Sequence, residues 1–156
     1  MLKSLELKNI ALIDEASVVF DDGLNVLSGE TGSGKSVLID SINFVLGAKA
    51  EKTMIRYGEN QCSATAVFSV DDRPMLRETL ISLGIDGDEE ELIVSRKMSV
   101  DQKGSIRVNG MPVTSAMLRK ITSLLVDVHG QSDHFSLLSE GEQLRVVDCF
   151  CDRSLQ

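Results

Sequence analysis

Gly29-Glu30-Thr31-Gly32-Ser33-Gly34-Lys35-Ser36 fits G-x-x-x-x-G-K-[ST], the spacing of a phosphate-binding P-loop. The stretches on either side decide whether the match means anything. Leu24-Asn25-Val26-Leu27-Ser28 is a short apolar run that reads as a strand. Val37-Leu38-Ile39-Asp40-Ser41-Ile42-Asn43-Phe44-Val45-Leu46 reads as a helix with Gly47 as its stop. Strand, glycine loop and helix in that order are the context the motif needs. A glycine-rich turn matching by chance would not bring both flanks with it.

The residue types follow from the chemistry of a polyphosphate. Gly29, Gly32 and Gly34 let the backbone curl so that successive N–H groups converge, because glycine tolerates the dihedrals this takes. The loop then opens into a helix N-terminus, where unpaired N–H groups and the helix dipole favour an anion. Lys35 supplies a point charge for the β- and γ-phosphates, and the Ser36 hydroxyl is placed to ligate Mg²⁺. Residues 29–36, including Glu30, Thr31 and Ser33, are therefore the expected nucleotide-binding residues.

Composition bounds the rest. The chain has 156 residues, enough for one domain with a sizeable core. Its 42% hydrophobic and 26% charged content is that of an ordinary globular protein. No apolar run approaches the ~20 residues that span a bilayer. The first residues lack the apolar centre of a signal peptide, so a cytoplasmic protein is expected. Three cysteines, Cys62, Cys149 and Cys151, match neither a disulfide framework nor a zinc spacing and read as small buried thiols. A net charge of −8 argues against a free-standing nucleic-acid binder. Part of that acidity is local, in Asp86, Asp88, Glu89, Glu90 and Glu91, which read as a solvated loop.

Hydrophobic periodicity predicts strands over 4–8 and 15–20, joined to the P-loop strand through the turn Asp21-Asp22-Gly23. Alternation over 61–70 predicts a strand near a sheet edge. Asp72 is the expected N-cap of a helix with Pro74 in its first turn and Met75, Leu76, Leu80 and Leu83 as its apolar stripe, ended by Gly84. Residues 91–98 and 105–109 read as a hairpin, and Asn109-Gly110 as a tight turn. Thr114 or Ser115 caps a helix carrying Met117, Leu118, Ile121 and Leu125. Residues 124–129 read as the end of that helix followed by a buried strand, with Gly130-Gln131-Ser132-Asp133 a loop beyond it. Ser139 and Glu142 form a capping box for a last helix.

A P-loop binds nucleotide, but hydrolysis also needs a carboxylate for the Mg²⁺ shell and a group that positions water. The candidate carboxylate is Asp127. With it as Mg²⁺ ligand, the chain would be a self-contained P-loop kinase or NTPase; otherwise Asp127 is a polar residue on a sheet strand. The guanine-specificity stretch Asn-Lys-x-Asp does not occur, which weakens the GTPase form of that reading. A vestigial P-loop is disfavoured by the intact Lys35 and Ser36.

Leu5-Glu6-Leu7-Lys8-Asn9-Ile10-Ala11-Leu12-Ile13-Asp14, followed by the run 23–36, resembles the RecN family of bacterial DNA-repair proteins, in the SMC-like branch of the ABC ATPases. Ile55-Arg56-Tyr57-Gly58, Arg107-Val108-Asn109-Gly110-Met111-Pro112-Val113 and Leu125-Val126-Asp127-Val128-His129-Gly130-Gln131 agree with it. The resemblance spans nearly the whole chain. It implies an α/β P-loop NTPase fold, specifically the N-terminal lobe (1–156) of an ABC/SMC-type ATPase head, with a mixed sheet and antiparallel strands. It also implies Gln131 as the Q-loop glutamine that reaches Mg²⁺ and the attacking water, making Lys35 and Gln131 the catalytic pair within this chain. Arg56 would lie near the nucleotide or on the DNA-facing side, and His129 would support the site or be structural.

Leu138-Ser139-Glu140-Gly141-Glu142-Gln143 looks like an ABC signature but follows Gln131 too closely and leads into no strand ending in Asp-Glu. It stays a capping box. In the family a long coiled coil follows, and then a C-terminal segment that carries the signature, Walker B and catalytic glutamate. The resemblance therefore implies that ATP and Mg²⁺ bind here and that hydrolysis needs the C-terminal lobe. It also implies a second head in an ATP-sandwiched dimer and action on DNA double-strand breaks at the nucleoid. No membrane partner is expected. Any DNA contact by this lobe would use a local basic patch, with Lys3, Lys8, Arg96 and Lys97 as candidates.

Overall fold

The chain divides into two compact units, Met1–Val126 and Asp127–Gln156. The computed structural model describes residues 1–29, 34–70, 73–101 and 103–126, all within the first unit. Leu5 and Leu7 alternate with Glu6 and Lys8, and this pattern forms β1 (Leu2–Ile10) with its apolar side buried. β1 turns back through Ala11 and Leu12 into β2 (Ile13–Val19), with Ile10 opposite Ile13 and Leu5 opposite Val18. Both strands reach closer to the turn than the alternation predicts. Ala11, the first residue of this two-residue connection, adopts a positive φ of 49°, which such a tight hairpin turn needs.

Six strands form the sheet in the order β2-β1-β3-β4-β5-β6, every described neighbour antiparallel. β3 (Gln61–Ser69) buries Cys62, Ala64, Ala66 and Phe68, as the alternation demands. It is not an edge strand, however. It pairs with β1 on one side and β4 (Glu91–Ser99) on the other. Its polar half faces out because one face of the sheet is open, where Glu6, Lys8, Glu15, Ser17, Ser63 and Thr65 line a shallow depression. β5 (Gly104–Val108) closes the predicted hairpin with β4, and Asn109 (φ 46°) and Gly110 (φ 78°) turn the chain into the short β6 (Met111–Pro112). The Asn109 side chain accepts from the Ile93 N–H at 2.8 Å and so extends the ladder past the end of β5.

The helices cover the apolar face. α1 (Lys35–Val45) buries Leu38, Ser41, Phe44 and Val45 against it, and Ser41 satisfies its own hydroxyl on the Val37 carbonyl at 2.6 Å. α2 (Pro74–Ser82) has Pro at its start and buries Leu76 and Leu80. Met75 does not join that stripe; it is exposed, because the helix turns the i−1 position of Leu76 outward. Asp72 lies outside the described residues. α3 (Ser115–Thr122) is capped by Thr114, whose Oγ1 accepts from the Met117 N–H at 3.2 Å. Arg73 ties α2 to the end of α3 by donating to the carbonyls of Leu124 and Leu125 at 2.7 and 2.9 Å.

One expected strand is missing from the sheet. Residues 24–28 form no strand, and Leu24 and Val26 are 89% and 74% exposed. Their β-branched and apolar side chains suit a buried strand, but among the described residues none offers it a ladder. Propensity without a pairing partner does not make a strand.

Gly47 ends α1 at φ 105°, and a Cβ there would lie 3.0 Å from Arg119 Cγ and 3.3 Å from Leu118 Cδ2. Gly47→Ala should therefore combine left-handed backbone strain with overpacking against α3, at a cost of about 2 kcal/mol. Urea denaturation measures it; a loss under about 0.5 kcal/mol would mean that α3 shifts away freely.

Candidate nucleotide-binding site

The P-loop meets α1 at Gly34, the N-cap, which sits at φ 93° with open space where a Cβ would be. Gly34 has no side chain with which to cap this helix end, and the first turn holds no acidic residue. The first N–H groups of a helix and the positive end of its dipole favour an anion. Lys35 is half-buried and its ammonium donates to the Gly29 carbonyl, so the two ends of the loop are drawn together. That carbonyl oxygen occupies the role a phosphate oxygen would take with the same ammonium. Ser36 is exposed beside it. The donor set — an uncapped helix start, an ammonium and an exposed hydroxyl — fits a polyphosphate with its cation.

The far end of α1 is anchored by Arg96, which the sequence suggested for a basic patch, and by Thr122, which it did not single out. Arg96 on β4 donates through Nη1 to the Phe44 and Ala48 carbonyls at 2.6 and 2.7 Å, and its guanidinium lies 4.5 Å from the centre of the Phe44 ring. Thr122 on α3 donates its hydroxyl to the Leu46 carbonyl at 2.8 Å. A cation at a helix C-terminus complements the dipole and satisfies carbonyls the helix leaves over. Arg96 is thus a structural clamp as well as a surface charge, and Lys3 is held by Asp22 at 3.0 Å. Burial, with the nearby Arg119 charge second, lowers the Arg96 pKa from its ordinary value. The sequence signal that could have revealed the clamp was weak: an arginine in a strand otherwise alternating apolar and polar.

Arg56 follows a short 3₁₀ turn (Lys52–Met54) that is stitched to the end of β1. Its N–H donates to the Asn9 carbonyl at 3.0 Å, and Ala11 N–H donates to the Met54 carbonyl at 2.8 Å. Arg56 therefore sits at the β1–β2 turn. Tyr57 beside it is fully exposed. Cys62 is buried, and burial pushes its thiol pKa up. The acidic residues Asp86, Asp88, Glu89, Glu90 and Glu91 are exposed, although Glu89 accepts from the Asn109 side-chain amide at 2.8 Å. Glu30, Thr31, Gly32, Ser33, Asp127, His129, Gln131, the capping box at 139–142, Cys149 and Cys151 lie outside the described residues. Among the described residues no cluster of His, Cys, Asp or Glu could hold a metal, and no helix is long and apolar enough to cross a membrane.

Residues 1–144 match the family model for the RecF/RecN/SMC N-terminal domain. The chain belongs to the RecF/RecN/SMC N-terminal domain family. Within it, the chain is similar to the DNA repair protein RecN of Bacillus subtilis (strain 168), at 37% identity over 156 residues, all of this chain and 27% of that protein. RecN of Halalkalibacterium halodurans is 36% identical, again over the whole chain and over 28% of the relative. The chain thus spans about a quarter of the length of these relatives. Among solved structures, a chain from a study of ATP-driven dimerization and DNA-stimulated activation of SMC ATPases superposes with a TM-score of 0.67 at 23% identity, covering 94% of this chain and 97% of that one. The expected α/β P-loop fold of the SMC type is therefore the fold of this RecF/RecN/SMC domain, and its described sheet is the antiparallel part.

Proposed function

We propose that this chain is the ATP-binding N-terminal part of a RecN-like ATPase that acts in recombinational repair of DNA double-strand breaks. The observation that carries the reading is the P-loop at an uncapped helix start, with Lys35 reaching across it, in a chain of the RecF/RecN/SMC family. Residues 29–36 hold the β- and γ-phosphates of ATP, Lys35 as the point charge, and Ser36 with Gln131 ligates Mg²⁺. Bound ATP supplies the transferable phosphoryl group. Gln131 holds the attacking water.

The same reading makes the site half of an active centre. The groups that complete it belong to a C-terminal lobe and to a second head across the sandwiched nucleotide. The apolar run 24–28 supports this, since among the described residues nothing covers Leu24 and Val26, and exposed apolar stretches mark interaction surfaces. DNA is engaged through the assembled protein, in the cytoplasm at the nucleoid. The self-contained reading through Asp127 has no comparable support.

Steady-state ATPase assays on the 156-residue chain, with and without a C-terminal head segment added in trans, test the division. The expected outcome is ATP binding without turnover by the chain alone, and turnover on reconstitution. In the reconstituted enzyme Gln131→Ala lowers kcat about 100-fold and Asp127→Asn less. Full turnover by the chain alone, abolished by Asp127→Asn, would sink the split-site reading.

A further inference from the structure

Asn109-Gly110 is the pair that the turn between β5 and β6 requires, since both residues sit at positive φ, 46° and 78°. It is also chemically labile. The side-chain amide of an asparagine is open to attack by the backbone nitrogen that follows it, and a glycine there puts no side chain in the way. Around Gly110 the approach is clear: a Cβ built on it would meet nothing within 4 Å. Gly110 is exposed, so water reaches the same place.

Against this, the Asn109 side chain is held at both of its polar atoms. Oδ1 accepts from the Ile93 N–H at 2.8 Å, and Nδ2 donates to the Glu89 carboxylate at 2.8 Å. The Gly110 carbonyl accepts from Arg107 Nη1 at 2.8 Å, which steadies the other half of the turn. Attack on Asn109 Cγ requires the amide to turn onto the Gly110 nitrogen, so both side-chain bonds must break first. The bond to Glu89 is charge-assisted and is the stronger of the two.

We propose that Asn109 is a site of spontaneous deamidation, kept latent in the folded chain by Glu89, and that its conversion releases the acidic stretch 86–91 from the turn. The Gly110 backbone nitrogen forms a bond to Asn109 Cγ and gives up its proton, while the Cγ–Nδ2 bond breaks and ammonia leaves. Water then opens the cyclic imide at either carbonyl. One opening leaves an aspartate; the other reroutes the main chain through the side-chain carbon as an isoaspartate. Both products carry a carboxylate where the amide had donated to Glu89. That carboxylate meets a surplus of its own sign, since Asp86, Asp88, Glu90 and Glu91 flank Glu89 and Arg77, 4.0 Å from Asp88, is the ion-pair partner found there among the described residues. An attraction becomes a like-charge contact. Aspartate still tolerates the left-handed turn. Isoaspartate adds a main-chain atom and breaks the register of Arg107 with Pro112 and Val108 with Met111.

Peptide mass spectrometry of the 156-residue chain, incubated at mildly alkaline pH, tests this by reading the mass gain of amide-to-acid conversion at Asn109. Conversion is expected to be fastest in the urea-unfolded chain and about 100-fold slower in the folded one, where two hydrogen bonds must break. Glu89→Ala should raise the folded rate about tenfold, the factor that loss of one charge-assisted bond allows. Leu76→Ala, which loosens the buried core without touching this contact, should leave the folded rate near wild type. Asn109→Asp reproduces the first product and should melt about 4–8 °C below wild type. Adding Glu89→Gln, which puts a donor back across the contact, should recover most of that loss. Absence of conversion even in urea, a folded wild type that converts as fast as the unfolded chain, Glu89→Ala no faster than wild type, Leu76→Ala as fast as Glu89→Ala, or a wild-type Tm for Asn109→Asp would each overturn the proposal.

Discussion

Lys35→Ala is expected to raise the Kd for Mg-ATP by on the order of 100-fold, measured by calorimetry on the 156-residue chain. The ammonium is the one side-chain cation that the described loop brings to the start of α1, and it already engages an oxygen, the Gly29 carbonyl. Charge-assisted hydrogen bonds of this kind contribute about 1.5–3 kcal/mol, and about 2.7 kcal/mol is a factor of 100. Lys35→Arg should recover little, because a planar guanidinium on a longer stem does not reproduce the compact point charge of an ammonium. The nucleotide-free variant should melt close to wild type, since a half-buried surface lysine adds little to stability. The rise in Tm that saturating ATP gives the wild type should vanish, because that rise is the binding free energy seen through linkage. Unchanged affinity in Lys35→Ala would show that the loop is vestigial.

Arg96→Ala should destabilise the chain by about 3 kcal/mol. It removes two short hydrogen bonds to carbonyls at the end of α1, the contact with the Phe44 ring, and the cation that complements the helix dipole. For a chain of this size the loss corresponds to a Tm about 6–12 °C lower. Arg96→Lys should restore part of it, because one ammonium cannot reach both carbonyls while stacking on the ring. Nucleotide affinity should fall as well, through the shifted axis of α1. A change below about 1 kcal/mol would mean that water replaces the guanidinium.

Much of the fold was legible before any coordinates. The alternation in 61–70, the Asn109-Gly110 turn, the Thr114 cap and the helix after Lys35 are local matters, settled by side-chain periodicity and backbone preference within a few residues. Each appears where its residues predict. The readings that failed depended on distant partners. β3 looked like an edge because its outer face is polar, yet an open sheet face gives the same alternation as an open edge. Met75 is as apolar as Leu76, and only the direction of α2 against the sheet separates them. Residues 24–28 have the composition of a strand, but a strand exists only when another backbone supplies its hydrogen bonds.

The candidate site divides in the same way. Sequence by itself supplied the expectation of a phosphate site at the start of α1, because glycine, lysine and serine at that spacing are the residue types a polyphosphate needs. It could not assign Arg96, whose reach across 52 residues to Phe44 is a product of strand order. Nor could it bring Glu89 to the Asn109 amide, since the two are 20 residues apart and meet through the pairing of β4 with β5. Local chemistry is written in neighbouring residues, whereas side-chain clamps and helix anchoring depend on which surfaces the packed core forces together.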